Sequence, residues 1–471
     1  MKKKSLAALS FSLVLVIMAA SACSKSNNDS SASTPAATSQ ETTATETGAP
    51  PAKNISFNYA TFIGDFATDQ VGAAAIDYTQ LNPNIKVNHQ TMDHDTYQQK
   101  VSTMVESNTL PDLFWWNGSQ LSTTMLNKPE AIVDLTSYFD NDFKSRFLPN
   151  AFDFLNKANG KIAGFPSEAQ VQGFWYNKAL FDKYNLEFPK TFEDLLNVVK
   201  VFKENGIIPI AQGTKDPWPI WAWYMWEEKY GYIEEQESLF HTRTLHLKDS
   251  GIAKVFHRLS ELHDAGAFPE NASTMNFDQM TALFAAGKAA IIQLSSDQLG
   301  KFQNQPIEND MKFSWGPDFT DSKYDQHVAV KTVNNGYAIG SNAAKDPEKL
   351  QAIVDFNKWR YSDDGVKATL KAGFILPVKT DSIDLSQYSP LVQEQAKALN
   401  DDYKALNMDI QYTIPYYLAD GTPLGNFWGP KDAALNAIVD GSLKSSDIDK
   451  EIERLDKILD DAAKGWTEPA Q

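Results

Sequence analysis

Between Gly213 and Gly231 the chain reads TKDPWPIWAWYMWEEKY, with Trp218, Trp221, Trp223 and Trp226 close together and Asp216 at the entry. Indole rings are large, stiff and flat. They suit a core, a membrane interface, or a surface that stacks on the apolar face of a ligand whose polar edge an acid would hold. On a helix, residues two apart such as Trp221 and Trp223 point in different directions, so the four cannot all serve one face. Trp221 is expected to face outward while Trp223 and Trp226 pack inside. Trp218 stays open.

Other chemistries leave fewer traces. The pairs His89/His94 and His241/His246 form no known metal pattern, and a single cysteine, Cys23, excludes an intrachain disulfide. FAAGKAA lacks the leading glycine and the hydroxyl residue of a phosphate-binding loop, and no G-x-S-x-G elbow occurs. We therefore expect no metal, no cofactor and no enzyme. A carboxylate pair flanking a glycosidic bond could still hide among 60 acidic residues, because its separation is spatial. The formal charge of −17 argues against nucleic acid, which needs clustered Lys and Arg.

The elements that must position these residues follow from periodicity. NISFNYATF alternates Ile55, Phe57 and Tyr59 as a strand would. A helical stretch, TDQVGAAAIDYTQLNP, leads to a second strand, IKVNHQTM; another, DTYQQKVSTMVESN, leads to PDLFWW. Strands alternating with helices predict βαβ units and a mainly parallel sheet, which binds ligands at the carboxyl ends of its strands. Asp65, Trp116 and Asn117 lie at such ends. In PKTFEDLLNVVKVFKENG, Thr191 with Asp194 reads as a capping box, and Phe192, Leu195, Leu196, Val199 and Phe202 fall at helical spacing. A chain of 471 residues exceeds one compact core, so two lobes are expected.

The start is set apart. MKKK followed by LAALSFSLVLVIM is a basic then apolar leader, too short for an ordinary spanning helix. The following ASAC resembles the lipobox of bacterial lipoproteins, which implies cleavage before Cys23 and a lipid on its sulfur; a free thiol near an ordinary cleavage site is the alternative. Residues 1–23 are thus expected to be a signal peptide. Residues 24–53, rich in Ser, Thr, Ala and Pro, are expected to be a disordered tether with a reach of about 30 Å.

Three stretches carry a wider resemblance: GKIAGFPSEAQVQGFWYNKALFDKYNLEFPKTFEDLLNVVKVFKENGIIPIA, FAAGKAAI, and NNGYAIGSNAAKDPEKLQAIVDFNKW. In this order they resemble the extracellular solute-binding proteins (family 1) of bacterial ABC importers, the maltodextrin- and oligosaccharide-binding group, over about residues 54–465. The resemblance implies a two-lobed α/β fold of the periplasmic-binding-protein type II, each lobe a mainly parallel sheet flanked by helices, joined by a hinge of three crossovers. These would lie near Glu168–Gln172, near KFSWGPDF and near YSDDGVK. Lobe 1 would then hold residues 54–168 and 313–362, and lobe 2 residues 169–312 and 363–466.

Carried over residue by residue, the resemblance implies a site that interleaves aromatic faces with hydroxyl-binding polar groups. Asp65 would be a hydroxyl-binding acid after the first strand, and Trp116 with Asn117 an aromatic platform and its neighbour. Glu168 and Gln170 occupy the crossover. Asp216 and Trp221 match a loop with polar and aromatic contacts. In QLSSDQL the family's usual aromatic is missing and Asp297 stands near it, which suggests a polar contact. Asn335 precedes YAIG, where backbone can approach a ligand, and Trp428 in LGNFWGP matches the last platform. The implied protein is a monomeric, lipid-anchored receptor on the extracytoplasmic face, with a carbohydrate ligand and ABC permease subunits as partners. A receptor for a non-sugar solute, a surface glycoside hydrolase and an adhesin or scaffold remain as alternatives.

Overall fold

The computed structural model describes residues 53–62, 65–156, 160–406 and 427–464. Cys23, the leader and nearly all of the expected tether lie outside them. No described helix is long and apolar enough to cross a membrane.

Two sheets, each with its own apolar core, organise the body. The first has the order β2-β1-β3-β10-β4, from β1 (Ile55–Thr61), β2 (Ile85–Thr91), β3 (Leu113–Asn117), β4 (Phe165–Pro166) and β10 (Asn335–Ile339). The second has the order β11-β9-β5-β7-β6, with β8 also on β5. Its strands are β5 (Gln170–Asn177), β6 (Ile208–Ala211), β7 (Ala289–Ser295), β8 (Met311–Ser314), β9 (Val328–Thr332) and β11 (Lys404–Leu406). β1 is parallel to β2 and β3, and β6 to β7, but β10 runs against β3 and β4 and β5 against β7, β8 and β9. The sheets are mixed rather than mainly parallel, because β10 and β5 each enter directly from the other lobe instead of through a crossover helix.

The chain changes sheets between β4 and β5, at residues 167–169, and again between β9 and β10, at 333–334. The second change is not at KFSWGPDF, as expected: that segment begins as β8, whose partner is β5. Nor does the chain leave the first lobe at YSDDGVK. Ser362 caps the helix Asp363–Lys371, and Val366, Leu370, Ile375 and Val378 all join the first core. Helix Pro390–Leu399 then touches both cores, Val392 entering the first and Leu391 the second. The boundaries expected at 313 and 362 therefore shift to about 333 and beyond 378.

Local signals act as elementary chemistry dictates. Thr191 and Asp194 form the reciprocal capping box of helix Phe192–Glu204. Val198 is buried there while Leu196 is only partly so. Asp69 starts helix Gln70–Leu81 by accepting from the backbone N–H groups of Val71 and Gly72 at 2.9 and 2.8 Å. Gly72 is required there: a Cβ would stand 1.9 Å from the Phe66 carbonyl oxygen. This fixes Gln70, the first helical residue, under the hinge.

Candidate functional site

The first group of polar residues sits where the chain crosses between the lobes. Glu168 is only 3% exposed. Gln70 of the first lobe donates its amide to one carboxylate oxygen, and Gln170 of β5 donates to the other. Gln70 in turn accepts from Arg360 Nη2 at 3.1 Å. Arg360 is fully buried, lies over the rings of Tyr337 and Tyr361 at 4.8 and 5.3 Å, and donates to Asn357 at 2.9 Å. On the far side Ser295 Oγ meets Gln170 Oε1 at 3.5 Å. A relay of side chains thus runs from helix Pro347–Arg360 of the first lobe to the end of β7 in the second. Gln395, on the helix Pro390–Leu399 that touches both cores, ties that helix to the same crossover, donating at 2.9 Å to both the Ala169 carbonyl and Ser296 Oγ.

Asp297 follows β7 and is partly exposed. It accepts from the Gln298 amide at 2.6 Å, and among the described residues no lysine, arginine or histidine pairs with it or with Glu168. Burial, and secondly the charge of Asp297, push the Glu168 carboxyl up to about 7. The surrounding protein also raises Asp297. Two carboxyls that cannot both ionise freely are therefore held at the seam. Asn335 is buried opposite Asn117 in the β10–β3 register, and its carbonyl accepts from Ser167 N at 3.1 Å. Asn117 precedes helix Gly118–Asn127 but makes no side-chain cap bond.

The second group is aromatic and belongs to the second lobe. Trp218–Trp223 is a 3-10 helix continued by helix Tyr224–Lys229. Residues three apart eclipse in a 3-10 turn, so Trp218 and Trp221 share one edge and are both partly exposed. Trp223 and Trp226 are fully buried, T-shaped at 4.7 Å, with Trp223 Nε1 donating to Gln212 at 3.0 Å. Trp221 Nε1 donates to Asp432 Oδ2 at 2.9 Å, and the Tyr224 hydroxyl to Oδ1 at 2.5 Å.

Trp428 begins helix Trp428–Val439 and is partly exposed, its ring 6.0 Å from Tyr232 and 5.9 Å from Phe240. Beneath it Lys431 Nζ lies 4.7 Å from the Trp428 centroid and 3.7 Å from that of Tyr224, paired at 2.5 Å with the fully buried Glu227. Burial raises both Glu227 and Asp432, against the pull of Lys431. Consecutive residues Lys431 and Asp432 thus hold Trp428 and Trp221 on one end of the lobe.

The other expected residues serve differently. Trp116 is not an open platform. It is 4% exposed within the first core, its Nε1 donating to Gln98 at 3.1 Å, because β3 is a central strand covered on both faces. Asp216 accepts from Phe277 N at 2.8 Å and so helps start the helix Phe277–Ala285. Asp65 is exposed and caps the turn Phe66–Thr68 through Ala67 N at 2.9 Å. The sequence reading missed Gln70, Arg360, Tyr224, Lys431 and Asp432. None of them left a readable signal, since Asp432 lies past the first turn of the helix that opens with Trp428.

A possible cation cluster, His246 with Asp456 and Asp460, is already served: Arg243 Nη2 reaches the two carboxylates at 2.5 and 2.8 Å. It holds helix Ile448–Lys464 to the body and offers no open metal position.

Two mixed α/β lobes linked by three passes, with a polar hinge between them, define a two-lobed binding protein of type II. The family of bacterial extracellular solute-binding proteins matches residues 59–367, about two-thirds of the chain, and the chain belongs to it. It is 23% identical over 288 residues to an sn-glycerol-3-phosphate-binding periplasmic protein of Rhizobium meliloti, covering 56% of this chain and 63% of that one. A melibiose/raffinose/stachyose-binding protein of Bacillus subtilis is 25% identical over 164 residues, 35% of this chain and 37% of that one. The chain thus spans between about a third and two-thirds of the length of the first curated relatives it matches. Solved structures share the fold. One, described for xylan utilization by the thermophilic bacterium Caldanaerobius polysaccharolyticus, superposes with TM-score 0.71 at 23% identity, covering 86% of this chain and 99% of that one. A chitin oligosaccharide binding protein gives TM-score 0.69 at 20% identity, with 87% and 99% covered.

Proposed function

We propose that this chain is the carbohydrate receptor of an ABC importer, held to the outer face of the membrane through a lipid on Cys23. It captures a mono- or oligosaccharide between its lobes and presents the closed form to the permease. The observation that carries this reading is the pair of partly exposed tryptophans, Trp221 and Trp428, both fixed through the Lys431–Asp432 step. Stiff aromatic faces suit the C–H faces of a sugar, and the amides and carboxyls of the hinge suit its hydroxyls. The likeness to relatives named for melibiose, raffinose, stachyose and chitin oligosaccharides supports it.

Transport needs only a ligand that prefers the closed arrangement, so binding itself shifts the population toward the form the permease reads. No bond need break. A non-sugar solute is the second reading, favoured by the relation to a glycerol-phosphate binder. Thermal-shift screening of the full chain against neutral mono- and oligosaccharides tests the proposal. A shift without release of reducing ends is expected; release would make the protein a hydrolase.

A further inference from the structure

Helix Trp428–Val439 and the segment from Thr214 to Tyr224 run side by side in opposite directions and are joined at every turn. The Trp428 ring lies 6.4 Å from that of Tyr224. One turn on, Asp432 accepts from the Tyr224 hydroxyl at 2.5 Å and from Trp221 Nε1 at 2.9 Å. A turn further Asn436 donates to the Pro217 carbonyl at 2.9 Å, and the C-cap Asp440 accepts from the Thr214 hydroxyl at 3.0 Å. Trp428, Asp432, Asn436 and Asp440 are spaced by four and so form one row on the helix. Their partners Tyr224, Trp221, Pro217 and Thr214 step back along the chain by three or four residues.

Both sides of this ladder are anchored to the lobe. Gln293 of β7 donates to the Ala222 carbonyl at 2.6 Å, Trp223 Nε1 donates to Gln212 at 3.0 Å, and the fully buried Lys431 pairs with Glu227. An indole has one polar atom, the Nε1 donor, and in the partly exposed Trp221 that atom goes to Asp432. Four residues, or about 6 Å of helix, separate Asp432 from Trp428 along the row. The face of one pyranose ring is no larger than one indole, so two indoles held in this frame offer more apolar surface than one sugar ring covers.

We infer that Asp432 is a positioning residue for ligand binding: it holds the Trp221 ring in the frame that carries Trp428, making the two indoles one rigid platform for a saccharide of two or more rings. The inference rests on the saccharide reading above for its ligand and on the ladder alone for the part Asp432 plays. Rings set in advance spare the ligand the cost of ordering them.

The test is calorimetry on the full chain with glucose, maltose, cellobiose, galactose, melibiose and raffinose, and with sn-glycerol 3-phosphate as a non-saccharide probe. A di- or trisaccharide should bind at least about 30-fold more tightly than its component monosaccharide. Asp432→Leu, which takes the acceptor from Trp221 and Tyr224 alike, should weaken that binding about tenfold or more. With Trp221→Ala already present, the same change should cost no more than about twofold. Asp432→Asn keeps an acceptor for Trp221 Nε1 and a donor for the Tyr224 oxygen, and should stay within about threefold of wild type. Lys431 keeps Glu227 in both variants, so the fold survives. NMR of nitrogen-labelled indoles should show the Trp221 N–H resonance moved by Asp432→Leu and nearly unmoved by Asp432→Asn. Equal loss in both Asp432 variants, or a leucine effect that persists without Trp221, overturns the positioning role. A monosaccharide that binds as tightly as its oligosaccharides overturns the two-ring platform and spares the receptor reading. Binding of sn-glycerol 3-phosphate alone overturns the receptor reading, and a Trp221 resonance unmoved by Asp432→Leu overturns the positioning role whatever the ligand.

Discussion

Replacing Glu168 by glutamine sets two effects of similar size against each other in different pH ranges. In the folded protein, burial first and Asp297 second raise the Glu168 carboxyl to about 7. The unfolded chain ionises near the ordinary value, so between about pH 4.5 and 7 the folded state binds the extra proton and stability falls as pH rises. At about 1.4 kcal/mol per unit, ionised Glu168 costs at most about 3 kcal/mol by pH 8. Glutamine removes that slope, but it offers one acceptor where Gln70 and Gln170 both donate. Gln70 cannot turn its amide without abandoning Arg360, so one donor is left unmatched at about 1–3 kcal/mol. At pH 5 the wild-type carboxyl is itself protonated and its hydroxyl oxygen accepts only weakly, so Glu168→Gln should be less stable than wild type by about 1 kcal/mol at most. By pH 8 the ionisation cost that glutamine removes offsets that loss. Asp297, Tyr337 and Tyr361 also face this carboxyl, and they remain in the variant. Thermal unfolding of both proteins from pH 4.5 to 8.5 should therefore give stability curves that converge as pH rises. Parallel curves, or a variant that loses most at pH 8, would refute the reasoning.

Lys431→Met should destabilise the fold by about 3–5 kcal/mol by leaving Glu227 charged and buried, and Lys431→Met with Glu227→Leu should recover most of it; denaturant titration compares the two. Trp221→Ala and Trp428→Ala should each weaken saccharide binding roughly tenfold or more while the fold survives, because both rings are partly exposed; unchanged calorimetric affinity would remove them from the site. Trp223→Ala should instead cost about 3–5 kcal/mol of stability through its cavity, and a melting temperature equal to that of wild type would contradict its burial.

How far the sequence could be read depended on whether a signal was local. The strand Ile55–Thr61 and the capping box at Thr191 are set by neighbours a few residues away, and periodicity exposes them. The lobe boundaries are not local. KFSW alternates like any edge strand, and nothing within it says that its partner is β5, more than a hundred residues earlier. The aromatic site was half legible. Two-residue spacing separates Trp221 from Trp223, but the eclipsing of Trp218 with Trp221 depends on a 3-10 turn that the pattern does not announce. LFWW reads equally as a platform or as a central strand buried on both faces, and here Trp116 is buried. The hinge relay was least visible. Gln70 and Arg360 meet across 290 positions, and a buried glutamine or arginine has no periodicity to betray it.

The most direct test of the central claim is isothermal calorimetry of the full chain with neutral mono- and oligosaccharides, beside Trp221→Ala and Trp428→Ala. Saturable binding of at least one neutral saccharide is expected, intact after incubation and weakened by both substitutions. Saturable binding only of a non-saccharide solute, unaffected by either substitution, would contradict it.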